Sequence, residues 1–135
     1  MNDLISDMFA RIQNALKRKK EIVDIRHSNL SFEVARILTE EGFIQKHEVL
    51  TRGKRKLVRI SLKYVYDKFG KPSRGVISSL KRMSRPGCRM YVSYKDVPRI
   101  RCGLGSVILT TPRGVMTDAQ ARKGKIGGEV IGFVY

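Results

Sequence analysis

The sequence predicts an α+β protein: a small α/β domain over residues 1–64, with two helices on a three-stranded sheet, then a mainly β domain over residues 65–135 with one short helix. Three observations carry this reading. Apolar residues recur with helical period in two early segments, a clean alternation follows, and the second half breaks into short strands punctuated by Pro and Gly.

Leu4, Ile5, Met8, Phe9, Ile12 and Leu16 fall on one helical face, with Asn2 or Asp3 placed to cap the start. Ile22–Arg26 reads as a short strand. Ser28 or Asn29 caps a second helix whose apolar face is Leu30, Val34, Ile37 and Leu38, and Gly42 supplies a left-handed stop. Phe43–Leu50 and Leu57–Tyr64 read as strands around a turn at Gly53. In the second, Val58, Ile60, Leu62 and Tyr64 point inward, and Arg59, Ser61 and Lys63 outward. One face of this sheet is left without cover.

Asp67–Pro72 is polar and turn-rich, which places the domain boundary near Tyr64 and Tyr66. Strands are expected at Gly75–Arg82, Arg89–Ser93, Leu104–Thr110 and Glu129–Tyr135. Pro86-Gly87 suits a type II turn with a positive φ at the glycine. Thr117-Asp118-Ala119-Gln120 has capping-box spacing for a short helix closed by Gly124.

The chain has 28 Lys and Arg against 12 Asp and Glu, a formal charge of +16. The excess is steepest in Lys68–Arg101, where ten basic residues face only Asp96. That one-sidedness, on residues that also read as folded strands, points to a polyanionic partner, nucleic acid before an acidic protein or membrane surface. Membrane binding calls for a basic amphipathic helix with bulky aromatics, whereas these basic residues alternate with strand formers and Trp is absent. No apolar run approaches the roughly 18 residues of a membrane span. The start lacks the basic and apolar stretches of a secretory signal. Two cysteines, Cys88 and Cys102, make no disulfide scaffold and suit a reducing compartment.

Chemistry is largely missing from the pattern. His27 and His47 stand apart from any Cys at ligand spacing, so no metal and no cofactor is expected. Glu129 is a lone acid without a second carboxylate or a His base. Gly103-Leu104-Gly105 lacks the third glycine of a dinucleotide loop, and no GK[ST] is present. The expectation is a protein that is not an enzyme.

The most specific stretch is Leu104–Asp118: a buried strand delivers Thr110, Thr111 and Arg113 to a tight turn at Gly114, and a capped helix follows with N–H groups open to an anion. Short hydroxyls suit a splayed RNA base or a ribose 2′-OH, and equally a plain turn in which Thr is only a strand former. Tyr91 fits either a base-stacking platform or a small β core. Glu129 fits a base acceptor, an orienting partner for Arg or Lys, or a local charge partner.

Gly103–Asp118 with Ile126-Gly127-Gly128-Glu129 closely resembles the signature of the bacterial-type small-subunit ribosomal protein eight family. So do Leu80–Gly87 with Arg89 and Tyr91, the opening Asp3–Ile12 with Asn14, and Glu40-Glu41-Gly42-Phe43-Ile44. The resemblance runs the full length in order. It implies a structural constituent of the small subunit that binds the central domain of its ribosomal RNA and helps assemble the platform. Its neighbours would be other small-subunit proteins, its free state a monomer, and its home the cytoplasmic ribosome of a bacterial-type cell or an organelle. The RNA-binding residues it implies are Thr110, Thr111, Arg113, Gly114, Tyr91 and Glu129, with Lys81, Arg82, Arg85 and Arg89 nearby, and Asp3 and Asn14 in the first domain. The alternatives are an RNA-binding repressor of its own mRNA and a protein-interaction module. The family commonly has Ser-Thr-Ser where this chain has Thr110-Thr111-Pro112, so a hydroxyl and a backbone donor are lost. Leu4 replaces a frequent Pro, and Gln13 replaces a frequent Arg, so the phosphate contact that this Arg implies does not carry over.

Overall fold

A computed structural model describes residues 4–135; the expected cap at Asn2 or Asp3 lies outside the described residues. The chain forms two compact units, 4–78 and 79–135.

In the first unit α1 (Leu4–Lys17) and α2 (Asn29–Glu40) accompany a sheet of β1 (Ile22–Arg26), β2 (Ile44–Arg52) and β3 (Arg55–Leu62), in the order β1-β3-β2 and antiparallel throughout. The helical period works as expected: Ile5, Met8, Phe9 and Ile12 of α1 and Val34, Ile37 and Leu38 of α2 are buried with Val58, Ile60 and Leu62 of the sheet. Ser28 is the cap of α2, its hydroxyl accepting from Ser31 N at 3.0 Å while Ser31 Oγ accepts from Ser28 N at 2.8 Å. Gly42 takes φ +80 just past the helix end. Ser61, expected outward, is buried.

On the opposite side of β3 from that core, Arg59 grips Asp24 with two bonds, Nε to Oδ1 at 2.9 Å and a terminal nitrogen to Oδ2 at 3.1 Å. The Arg59 hydrogen bond, aided by the charges of Arg59 and Arg52 and opposed by partial burial, holds the Asp24 carboxyl below its ordinary value. A lowered folded value stabilises the native state above the unfolded carboxylate range, and the contribution is lost as pH falls through the lowered value. Asp24→Asn is therefore expected to flatten the acid limb of a stability-against-pH curve, measured by urea unfolding from roughly pH 5 down to roughly pH 2. An acid limb identical to the parent's would contradict this.

Two further short strands, β4 (Tyr64–Tyr66) and β5 (Pro72–Gly75), form a separate antiparallel ribbon. The expected strand Gly75–Arg82 is therefore not continuous. Val76 N still donates to Lys63 O, but Ser79 exchanges two backbone bonds with Tyr135. The chain changes partner strand between them, which the sequence pattern has no means of signalling.

The second unit is built on β6 (Leu80–Arg82), β7 (Tyr91–Val92), β8 (Ser106–Thr111), β9 (Gly114–Thr117), α3 (Asp118–Lys123) and β10 (Gly128–Val134). The order is β6-β10-β8-β9, with β7 also paired to the start of β10. Val97, Val107, Leu109, Ala121 and Val130 form its core, with Met83, Met90, Val92 and Ile126 packed around them. The capping box of α3 is present: Thr117 Oγ1 accepts from Gln120 N at 3.3 Å, and Gln120 Oε1 accepts from Thr117 N at 3.1 Å. Gly124 ends the helix with φ −83, and the positive φ falls on Lys125 instead. At Pro86-Gly87, flanked by paired backbone bonds between Arg85 and Cys88, Gly87 does not take a positive φ. The expected type II turn is thus corrected; Pro86 at the first central position is equally compatible with a turn whose glycine stays in the ordinary region.

Counted by unit, residues 4–78 hold 17 basic and 8 acidic side chains, and 79–135 hold 11 and 3. The excess is shared, but acids are scarcest in the second unit.

Candidate nucleic-acid interface

The pairing register of the second unit draws the candidate residues into a row. Glu129 of β10 lies opposite Tyr91 of β7 on one side and Thr110 of β8 on the other, and Thr110 lies opposite Val115 of β9. Residues paired across an antiparallel sheet share a face, so Tyr91, Glu129 and Thr110 project together. The next residues, Leu109 and Val130, are paired and point into the core. Tyr91 is 71 % exposed, which removes the alternative of an aromatic filling the β core. Its ring is open for stacking.

The strands meet this closely because of two glycines. A Cβ at Gly128 would stand 2.2 Å from Thr110 O, and one at Gly127 2.4 Å from Val92 O. Both distances are impossible for carbon against a carbonyl. Gly127-Gly128 is less a turn signal than the condition for β7, β10 and β8 to approach at this row.

Glu129 is held from two sides. Its Oε1 accepts from Ser84 Oγ at 2.7 Å and from an Arg89 guanidinium nitrogen at 3.0 Å. Ser84 is fully buried, and its hydroxyl also accepts from Met90 N at 3.1 Å. The carboxylate thus ties the 83–90 loop to β10 and pairs with Arg89, an arrangement that fits both an orienting partner and a local charge partner. Ser84 was invisible to sequence reasoning as a site residue; a small polar side chain in a basic run has no periodic signal.

The hairpin end is tight. Two residues, Pro112 and Arg113, link Thr111 to Gly114, which takes φ +112. Thr111 Oγ1 donates to Gly114 O at 2.8 Å and accepts from Arg113 N at 3.2 Å. Its proton is spent on the turn, so toward a ligand it offers only a remaining lone pair. Thr110 makes no side-chain hydrogen bond among the described residues, and its hydroxyl retains both functions. Arg113 projects from the tip, exposed.

The anion site expected at the start of α3 is corrected. The Thr117 hydroxyl caps the helix, and buried Asp118 accepts from Val107 N at 3.2 Å and pairs with Arg122 at 2.9 Å. A buried carboxylate thus already stands at that helix start, where it opposes a second anion. Arg122 in turn donates to the carbonyls of Val97 and Pro98, pinning that loop.

Of the remaining candidates, Lys81 is exposed on β6 and Arg85 is exposed at the Pro86-Gly87 turn. Arg82 donates to Ile131 O at 2.8 Å, so its guanidinium is partly committed to β10. Arg82 pairs with Gly132, three positions along β10 from Glu129, about 10 Å at strand rise. Asn14 is exposed on α1 of the first unit, and Asp3 lies outside the described residues. Among the described residues no group of three or more His, Cys, Asp or Glu is arranged to hold a metal ion. No helix among them is long and apolar enough to cross a membrane.

The second unit is thus a basic, glycine-tightened sheet that presents an exposed tyrosine, a free threonine hydroxyl and an arginine paired with a carboxylate on one face. The profile of the family described as Ribosomal protein S8 matches residues 3–135, and the chain belongs to that family. It is 45 % identical over 135 residues to the small ribosomal subunit protein uS8 of Clostridioides difficile, covering all of this chain and 98 % of that one. The uS8 proteins of Rubrobacter xylanophilus and Koribacter versatilis are each 46 % identical, covering 100 % and 98 % of this chain and 98 % and 96 % of their own lengths. The α+β expectation of two helices on a three-stranded sheet followed by a mainly β half is borne out.

Proposed function

We propose that this chain is a structural constituent of the small ribosomal subunit, in the cytoplasmic ribosome, that binds the central domain of the subunit's RNA and helps build the platform. The observation that carries the reading is the Tyr91–Glu129–Thr110 row beside the Thr111–Gly114 hairpin, within a unit holding 11 basic and 3 acidic residues. Lys81, Arg85, Arg89 and Arg113 neutralise phosphates and supply affinity. Tyr91 stacks on a base or ribose, and the Thr110 hydroxyl reads an irregular feature of the helix. Neighbouring small-subunit proteins cover surface that the RNA leaves free.

Filter-binding titrations at fixed salt, against a central-domain transcript and a copy with a mutated bulge, separate these roles. Arg113→Ala is expected to weaken both complexes alike, whereas Thr110→Val erodes the preference for the intact RNA. Tyr91→Ala costs about tenfold in affinity for the intact RNA. Equal loss of preference in the Arg113 and Thr110 variants would overturn the division, and no loss in any of the three would overturn the interface.

A further inference from the structure

The β4–β5 ribbon of the first unit has no part in the interface above, yet it is the most exposed aromatic feature of the chain. Phe69 is 77 % and Tyr66 61 % exposed, and Val65 is exposed beside them. Exposed aromatics in one short ribbon mark a contact surface rather than chance. Their setting is basic. Lys68, Lys71 and Arg74 lie on the same ribbon, all exposed, and Lys68 Nζ stands 5.4 Å from the Phe69 ring centroid. The ribbon's single acid, Asp67, is spent on its turn, where Oδ1 accepts from Phe69 N at 2.8 Å and Lys71 N at 3.0 Å.

The root of the ribbon is fixed to the end of α1. The buried Tyr64 hydroxyl donates to Lys20 O, and burial pushes this phenol's pKa up, so it remains a donor. Gly75 lies against Leu16, where a Cβ would stand 2.6 Å from Leu16 Cδ2. These contacts bring the exposed run Lys17-Arg18-Lys19-Lys20 to the foot of the ribbon. Among the described residues no carboxylate pairs with that run or with Lys68, Lys71 or Arg74. Cations without carboxylate partners among the described residues, set around protruding rings, suit a ligand with both charge and π-faces, which is a nucleic acid strand whose bases are unpaired. A protein partner would have to supply carboxylates and an apolar socket together.

We propose that the β4–β5 ribbon with the Lys17–Lys20 run is a second RNA-binding surface, one that takes an unpaired stretch by stacking bases on Phe69 and Tyr66. This rests on the reading of the chain as an RNA-binding protein. The Lys and Arg side chains hold the phosphates of the same stretch.

The chain contains no Trp, so Phe69→Trp in the full-length protein provides a single reporter. A uridine dodecamer is the probe. Its addition is expected to quench the Trp emission by more than half. With the parent protein, Phe69→Leu and Phe69→Ala are each expected to weaken dodecamer binding about fivefold, because either removes the stacking ring. Combined Lys68→Ala, Lys71→Ala and Arg74→Ala lowers the slope of log affinity against log salt by about 2, at ~0.7 per phosphate. Absence of quenching, or full affinity in Phe69→Leu, overturns the proposal; a blue shift with RNA-free small-subunit proteins in place of quenching overturns it in favour of a protein neighbour. Tyr91→Ala is expected to leave the quenching intact. A silent ribbon with Tyr91→Ala still weakening the central-domain complex defeats the ribbon alone. A quenched ribbon with Tyr91→Ala silent defeats the interface of the second unit instead.

Discussion

Gly128→Ala is expected to destabilise the protein by about 2–4 kcal/mol, the range of a forced backbone clash in a packed sheet. The added Cβ meets Thr110 O at 2.2 Å and the Thr110 carbonyl carbon at 3.0 Å, both backbone atoms of the paired strand. No rotamer change relieves such a contact; β8 or β10 must shift. Since Glu129 follows directly and Thr110 is its register partner, the shift also disrupts the row that presents Tyr91, Glu129 and Thr110. Thermal unfolding followed by circular dichroism is expected to show a fall in Tm on the order of 10 °C. Gly87→Ala is the control: nothing lies within 4 Å of its Cβ position and its φ is ordinary, so its Tm stays within a degree or two of the parent's. Equal melting of the two variants would refute the argument from close approach.

Glu129→Ala is expected to move specific and non-specific RNA binding in opposite directions. Removing the carboxylate takes the acceptor from the fully buried Ser84 hydroxyl and releases Arg89 from its fixed aim. Leaving a buried hydroxyl donor without a partner costs about 1–3 kcal/mol. Loss of the aimed guanidinium lowers affinity for the central-domain transcript by about tenfold. The same change removes one of the three acids of the second unit, so weak binding to a non-cognate duplex rises slightly. Parallel titrations at one salt concentration decide it. A parallel fall in both affinities would mean that Glu129 supports folding only, and a parallel rise that it is no more than a charge opposing RNA.

Much of the fold was legible in the residues because it rests on local chemistry. The buried faces of α1 and α2 follow the 3.6-residue spacing of Ile5, Met8, Ile12 and of Val34, Ile37, Leu38. The caps at Ser28 and Thr117 follow from a hydroxyl placed three residues before its backbone donor. The alternation in β3 held for its apolar members and failed at Ser61, whose burial depends on what packs over it. Where the chain changes strand partners, as between Val76 and Ser79, no pattern could mark the break, because both segments are strand-like and only distant partners tell them apart.

The candidate site shows the same division. Residue identity marked Thr110, Thr111, Tyr91, Arg113 and Glu129 as unusual, and the family resemblance tied them to RNA. It did not separate Thr110, with a free hydroxyl, from Thr111, whose proton closes the hairpin. Nor did it show that Asp118 and Thr117 fill the helix start an anion was expected to occupy.

By itself, then, the sequence determined the α+β class, the helices and sheet strands of the first half, the two helical caps and the polyanion-seeking charge of +16. All of these follow from interactions between near neighbours or from composition. Only the tertiary structure decided that Tyr91 stands exposed opposite Glu129, that Ser84 and Arg89 converge on one carboxylate oxygen, and that Lys17–Lys20 lies at the foot of an aromatic ribbon. Each of those joins residues some 40 to 50 positions apart in the chain, apart from Tyr91 and Glu129, which are 38 apart. Pairing register and close glycine packing set them, and neither is written in any local run of residues.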